Sequence, residues 1–219
     1  MIISFVDKNV ENCWLRAQCD KIHYTIRAAM IRKLDLLHFA GSLDELTAVP
    51  GAQVQSLHRK ENNLFTLGID EAWMLVFRYD DEAKGFRGVW LKSADTVPSP
   101  SPKESGATAI HEMIPLQAPI APGELLYHEF LEPLDLTQLE LSKLMKVSPQ
   151  RIHAIINGNY ELTTDTAIRL SKVFGVSAKF WLDAEQRNSL WKAMNDSGKA
   201  VEYNEIKRFK VSRVAKQNS

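Results

Sequence analysis

The stretch from Thr137 to Ser177, "TQLELSKLMKVSPQRIHAIINGNYELTTDTAIRLSKVFGVS", constrains the fold more than any other part of this 219-residue chain. It sets three short amphipathic segments end to end, each with a start signal and a stop signal. Thr137 and Glu140 have the spacing of a capping box. Ser148 suits a helix N-cap and Pro149 the first helical position, while Gly158 and Gly175 supply stops. Leu141, Leu144 and Met145 form the buried stripe of the first segment. Ile152, Ile155 and Ile156 form that of the second, at helical spacing.

Opposite those isoleucines lie Gln150, His153, Ala154 and Asn157, with Arg151 on the flank. A helix that buries three isoleucines and turns out amides, a small residue and a cation suits the floor of a DNA major groove. Glutamine can pair with adenine and arginine with guanine in a bidentate way, and alanine lets the backbone approach. The preceding helix joins it through a turn of three or four residues, as a helix-turn-helix requires. Gln138, at the start of that preceding helix, is placed to hold a phosphate and fix the register. The plain alternative is a small helical bundle whose outer face is merely polar.

The rest of the chain divides around "VPSPSPKESGATA", from Val97 to Ala109, which has no hydrophobic periodicity and a composition that cannot pack a core. Before it, "MIISFVD" reads as a strand, "NVENCWLRAQ" and "YTIRAAMIRKLDLLHFA" as helices, and "SLDELTAVPG" as a loop. The runs "QVQSLHR", "NLFTLGID", "WMLVFRYDD" and "FRGVWLKSA" then read as an antiparallel meander with a hairpin at "DDEAKG". The order is an α+β pattern. The expected parts are therefore a domain over 1–97, a linker over 98–117, an all-α domain over 118–198 and a basic tail over 199–219.

Twenty-seven basic side chains balance twenty-seven acidic ones, so no global field draws the chain to nucleic acid. Cys13 and Cys19 have no metal-ligand spacing and, in one predicted helix, fall on different faces; reduced thiols are expected. His23, His38, His111 and His128 occur singly, so neither a metal nor a cofactor is expected. No apolar run reaches the length of a membrane span, which together with the thiols points to the cytoplasm and no membrane partner.

Residues Pro119 to Ala193, from "APIAPGELLYHEFLEPLDL" through "FWLDAEQRNSLW", resemble the lambda-repressor-like helix-turn-helix of HigA-type antitoxins. The resemblance implies operator binding as a dimer, with Gln138, Ser148, Gln150, Arg151, His153 and Asn157 at the DNA. Residues 1–97 look like the RelE-like HigB toxin, carried by the "LH.K" element and the "W...F" strand. The chain is thus read as a toxin and an antitoxin fused, and double-stranded operator DNA as its partner, with mRNA on the ribosome as the partner of the first domain if that domain still works.

RelE-like toxins cut mRNA without metal, so they need a base, an acid and cations around the scissile phosphate. The resemblance places His58 and Lys60 on two of those positions. Where the family strand has an arginine, this chain has Met74. Where the family ends in tyrosine and histidine, it has Lys92 and Ser93. Arg78, four residues on from Met74 and on the same side of the strand, is a candidate substitute, as is Lys92. Twelve basic against thirteen acidic residues through Val97 suit an RNA-gripping surface poorly. Two readings follow: a DNA-binding autoregulator whose toxin domain is attenuated, and a working mRNA endonuclease inhibited in cis.

Overall fold

The computed structural model describes residues 1–57, 63–94 and 116–207, with Ala200 described by its backbone alone. His58, Lys60, most of the expected linker and the end of the basic tail lie outside the described residues. The first half begins with α1 (Lys8–Arg16), α2 (Tyr24–Phe39) and α3 (Leu43–Thr47). A 3-10 turn over Pro50–Ala52 leads into β1 (Val54–Ser56), β2 (Leu64–Gly68), β3 (Trp73–Asp80) and β4 (Gly85–Ser93). The strands form one antiparallel meander in sequence order.

Besides Leu144, expected in a buried stripe with Leu141 and Met145 but exposed, three local expectations change. The amino-terminal segment is not a regular strand; it lies parallel to β4 through isolated bridges, Ile2 to Phe86 and Phe5 to Val89. Its Ser4 Oγ accepts from the Gly88 N–H at 3.0 Å, where β4 carries an extra residue against β3. Gly88 takes φ +59° there, a conformation glycine adopts without a Cβ clash. The expected loop at "SLDEL" is helical because Ser42 caps it, accepting from the Glu45 N–H.

The third change concerns the cysteines. Helix α1 ends at Arg16, and Ala17 turns the chain back in the left-handed region at φ 59°. The reversal brings Cys19 beside Cys13, and the two form a disulfide. Helical spacing past Arg16 is what misled the expectation of two separate thiols.

The second half is helical: α4 (Pro122–Leu126), a π turn over Tyr127–Leu131, a 3-10 turn over Glu132–Leu134, then α5 (Gln138–Met145), α6 (Pro149–Ile156), α7 (Thr164–Phe174), α8 (Ala178–Asn195) and α9 (Ser197–Glu205). The start signals act as their chemistry dictates. Thr137 and Glu140 make the reciprocal capping box, and Ser148, Thr163 and Ser177 each accept a backbone N–H of the helix they open. No described helix is long and apolar enough to cross a membrane.

The two halves pack on one another and share one continuous apolar core. Helix α2 explains how: it buries residues on nearly every side, Ile26, Met30 and Leu34 together with Leu36, Leu37 and Phe39, as a helix must when layers cover both its faces. Phe39 meets Phe180 edge-on at 6.2 Å, and Phe180 and Phe130 both pack against Trp181.

Two buried polar clusters punctuate this interface. Glu129 accepts from Lys33 Nζ at 2.7 Å and from Arg32 Nε at 3.1 Å, and Lys33 also donates to the Gly51 carbonyl. In the second cluster Asp35, fully buried, accepts from Trp14 Nε1 at 2.8 Å and from the Ile120 N–H at 2.7 Å. The Arg187 guanidinium lies over the Trp14 ring at 4.5 Å. Burial raises the Asp35 carboxyl above its ordinary range, against the opposing pull of Arg187 and those hydrogen bonds. A raised folded pKa means that the native state holds the proton more tightly. Stability from this group is therefore greatest below 3.8 and is lost as pH rises through the folded value.

Asp35→Asn removes the buried charge but offers one acceptor to two donors. It is expected to cost about 1–3 kcal/mol in urea unfolding, because one donor stays unpaired.

Candidate nucleic-acid interface

Helices α5 and α6 meet through a tight turn. Lys146 closes α5 in the left-handed region at φ 54°, the Val147 N–H returns to the Ser142 carbonyl at 3.0 Å, and Ser148 opens α6. Ile152 and Ile155 face the core and Ile156 is half-buried. Opposite them Gln150, His153 and Asn157 are exposed, Ala154 is half-buried, and Gln138 at the start of α5 is half-buried beside them.

These side chains form a row. Gln138 Oε1 lies 3.4 Å from His153 Nδ1, and Asn157 Nδ2 lies 2.9 Å from His153 Nε2. The row is self-consistent when the neutral imidazole donates from Nδ1 and accepts at Nε2. Gln150 stands apart from it.

Arg151 is placed differently from the expectation of a base-reading side chain. Its Nη2 donates to Thr166 Oγ1 at 2.6 Å and to Asp165 Oδ2 at 3.0 Å, and the guanidinium sits 5.8 Å from the Tyr160 ring. Asp165 also takes Arg169 Nε at 3.0 Å, and Arg169 Nη1 reaches the Met145 carbonyl at 2.8 Å. Hydrogen bonds from Arg169 and then Arg151 hold the Asp165 carboxyl below its ordinary range. A lowered folded pKa gives stability present above 3.8 that disappears as pH falls through the folded value. This network ties α6 to α7 and to the end of α5. Ser148 Oγ is likewise engaged, accepting the Arg151 N–H at 3.3 Å.

Behind α6 lies Gly123, in the first turn of α4. A Cβ there would stand 2.0 Å from the Ile155 carbonyl oxygen and 2.7 Å from Ile156 Cα. Only glycine lets α4 press this close to the exposed helix.

In the first half, Met74 and Lys92 are direct cross-strand partners on β3 and β4, and Trp73 pairs with Ser93. Arg78 pairs with Arg87 and with Leu64 further along. At about 3.3 Å per residue, Arg78 is about 13 Å along β3 from Met74. The structure therefore sets Lys92, and not Arg78, beside Met74. Arg87 is paired with Asp80. Among the described residues no cluster of three or more His, Cys, Asp or Glu could hold a metal.

The most buried charged groups, Lys33, Asp35 and Glu129, escaped the sequence reading. Their signal was faint, since on α2 Lys33 and Asp35 sit among Arg27, Arg32 and His38, which are not buried.

Comparison with known proteins follows the same division. Residues 3–85 match the family described as the RelE-like toxin of the type II toxin–antitoxin system HigB, and residues 128–181 match a helix-turn-helix family. The uncharacterized HTH-type transcriptional regulator YbaQ of Escherichia coli (strain K12) is 44% identical over 78 residues, 36% of this chain and 69% of the relative. Antitoxin HigA-1 of Vibrio cholerae is 36% identical over 77 residues, 35% of this chain and 72% of the relative. A solved structure of Pseudomonas aeruginosa antitoxin HigA with the higBA promoter shares 37% identity over 41% of this chain and 96% of that one, with a TM-score of 0.38.

Proposed function

Because this chain belongs to the HigA-type helix-turn-helix regulators and carries a HigB-like toxin segment ahead of that motif, we propose that it is a sequence-specific operator-binding autoregulator, its RelE-like half serving as scaffold with attenuated ribonuclease activity. The observation that carries this reading is the exposed row on α6, held rigidly by a network on its other sides. Gln150 is the base-reading side chain. His153, Asn157 and Gln138 contact bases or phosphates, and Arg151 and Ser148 position the helix. The chain works in the cytoplasm as a dimer, on half-sites about one helical turn apart.

Gln150→Ala is expected to weaken specific operator binding by about 1–3 kcal/mol without moving the unfolding midpoint. Arg151→Ala is expected to lower both, since it releases α6 from Asp165 and Thr166. Electrophoretic shift on the DNA upstream of the coding region, beside urea unfolding, separates the two. Unchanged affinity in both Gln150→Ala and Arg151→Ala, with the fold intact, would show that α6 does not read the groove.

Attenuation rests on Met74, which stands where the family resemblance asks for a phosphate-binding arginine, and on Lys92 and Ser93, which stand where it asks for tyrosine and histidine. Loss of one such contact costs ~10²–10³ in rate. The full chain is expected to leave ribosome-associated mRNA intact, and Met74→Arg to raise cleavage. Efficient cleavage by the unmodified chain would establish it as the enzyme instead.

A further inference from the structure

We infer that the Cys13–Cys19 disulfide is a redox latch on the packing of the two halves, opened by a dithiol reductant. Cys13 is fully buried on α1, and the next two residues are contact points for the second half. Trp14 donates to Asp35, which also holds the Ile120 N–H, and lies under Arg187 of α8. The Leu15 carbonyl accepts the Leu116 N–H at 2.8 Å, and the Leu116 carbonyl accepts from Trp191 Nε1 at 3.3 Å. The end of α1 is thus joined through residues 116–120 to α8.

What keeps the end of α1 in place is the reversal after Arg16. Ala17 sits there in the left-handed region, which an L-residue with a Cβ disfavours. The disulfide closes that reversal across a separation of six residues. It removes from the chain the freedom to relax the turn and unwind the last turn of α1. Once the bridge opens, the reversal itself is held by the hydrogen bonds from Ala17 and Gln18 to the Asn12 carbonyl, and the end of α1 by the contacts of Trp14 and Leu15.

The chemistry has one accessible entry. Cys19 is only partly buried, whereas Cys13 is fully shielded. A thiolate of the dithiol attacks the Cys19 sulfur, the S–S bond breaks, and Cys13 leaves as a thiolate that takes up a proton. The second thiolate of the reductant then attacks the mixed disulfide, releasing Cys19, which is also protonated. The reductant ends as a disulfide, having given two electrons and two protons. That the chain meets such a reductant rests on the operator-binding reading, because a protein at DNA shares the compartment in which thiols are kept reduced and disulfides are transient or sensing.

The test is amide hydrogen exchange on the full chain, oxidised and after dithiothreitol, with Cys19→Ser measured in both conditions and operator affinity measured on the same samples. Reduction is expected to speed exchange at Leu116 and Ile120 by about tenfold, while the interior of α7 is unchanged. Cys19→Ser should match the reduced protein and ignore dithiothreitol. Equal exchange at Leu116 and Ile120 in the oxidised and reduced wild type would overturn the latch, whether or not the operator binds. Redox-dependent exchange with no operator binding in either state would leave the latch standing and sink the DNA-binding reading.

Discussion

Glu129→Ala is expected to destabilise the full chain by about 3–5 kcal/mol, the cost of leaving a buried cation without its partner. Glu129 is the sole acidic partner of Lys33 among the ion pairs of the described residues, and the Lys33 side chain is only 8% exposed. Gly51 would retain one hydrogen bond to Lys33, which does not neutralise the charge. Lys33→Met with Glu129→Leu is expected to recover most of the loss, since a well-packed apolar pair can match a buried ion pair. The measurement is the urea unfolding of wild type, Lys33→Met, Glu129→Leu and the double variant as a double-mutant cycle, with Glu129→Ala beside them. A loss below about 1 kcal/mol in Glu129→Ala, the range of exposed pairs, would mean that the contact is open to water and that the halves do not pack tightly.

Gly123→Ala carries the second large effect. The added methyl would meet the Ile155 carbonyl oxygen at 2.0 Å, and that oxygen belongs to backbone, so no side chain can rotate aside. Either α4 lifts from α6 or α6 tilts. Overpacking of this kind costs about 1–3 kcal/mol and sometimes more. Unlike Glu129→Ala, it should also weaken operator binding disproportionately, because the displaced element is the one that carries Gln150. Gly158→Ala is the control: a Cβ there meets nothing within 4 Å, although its φ of +70° makes the change modestly strained. Operator affinity in Gly123→Ala equal to that of Gly158→Ala, with both folded, would show that α4 does not set the position of α6.

Much of the second half was legible because its signals are local. Thr137 with Glu140, Ser148 with Pro149, and Gly175 each act within a turn of their own helix, so residue type alone specifies them. That Gln150, His153 and Asn157 share one exposed face of α6 was legible for the same reason, since helical spacing sets which residues share a face. Arg151 was not. Its guanidinium turns towards Asp165 and Thr166, residues more than a dozen positions away whose proximity exists only after α7 folds back. Cys13 and Cys19 illustrate the opposite error, in which a helical period was extended past the residue where the helix stops. The catalytic question is less legible still. It turns on side chains grouped by strand register, and register between β3 and β4 shifts at a bulge that the alternation of residues does not announce.

The shared core has a consequence for control by gene expression. Two separate partners pair to an extent set by their concentrations, so a shortage of one frees the other. Here both halves of the interface belong to one polypeptide, and every copy translated carries equal amounts of each. Dilution of the protein leaves the docked fraction unchanged because the equilibrium is unimolecular. Unequal synthesis or selective turnover of one half, the usual ways to shift a two-component ratio, have nothing to act on. On the operator-binding reading proposed above, occupancy should therefore follow the total amount of this chain alone, and titration with further copies should give a saturating curve with no descending limb.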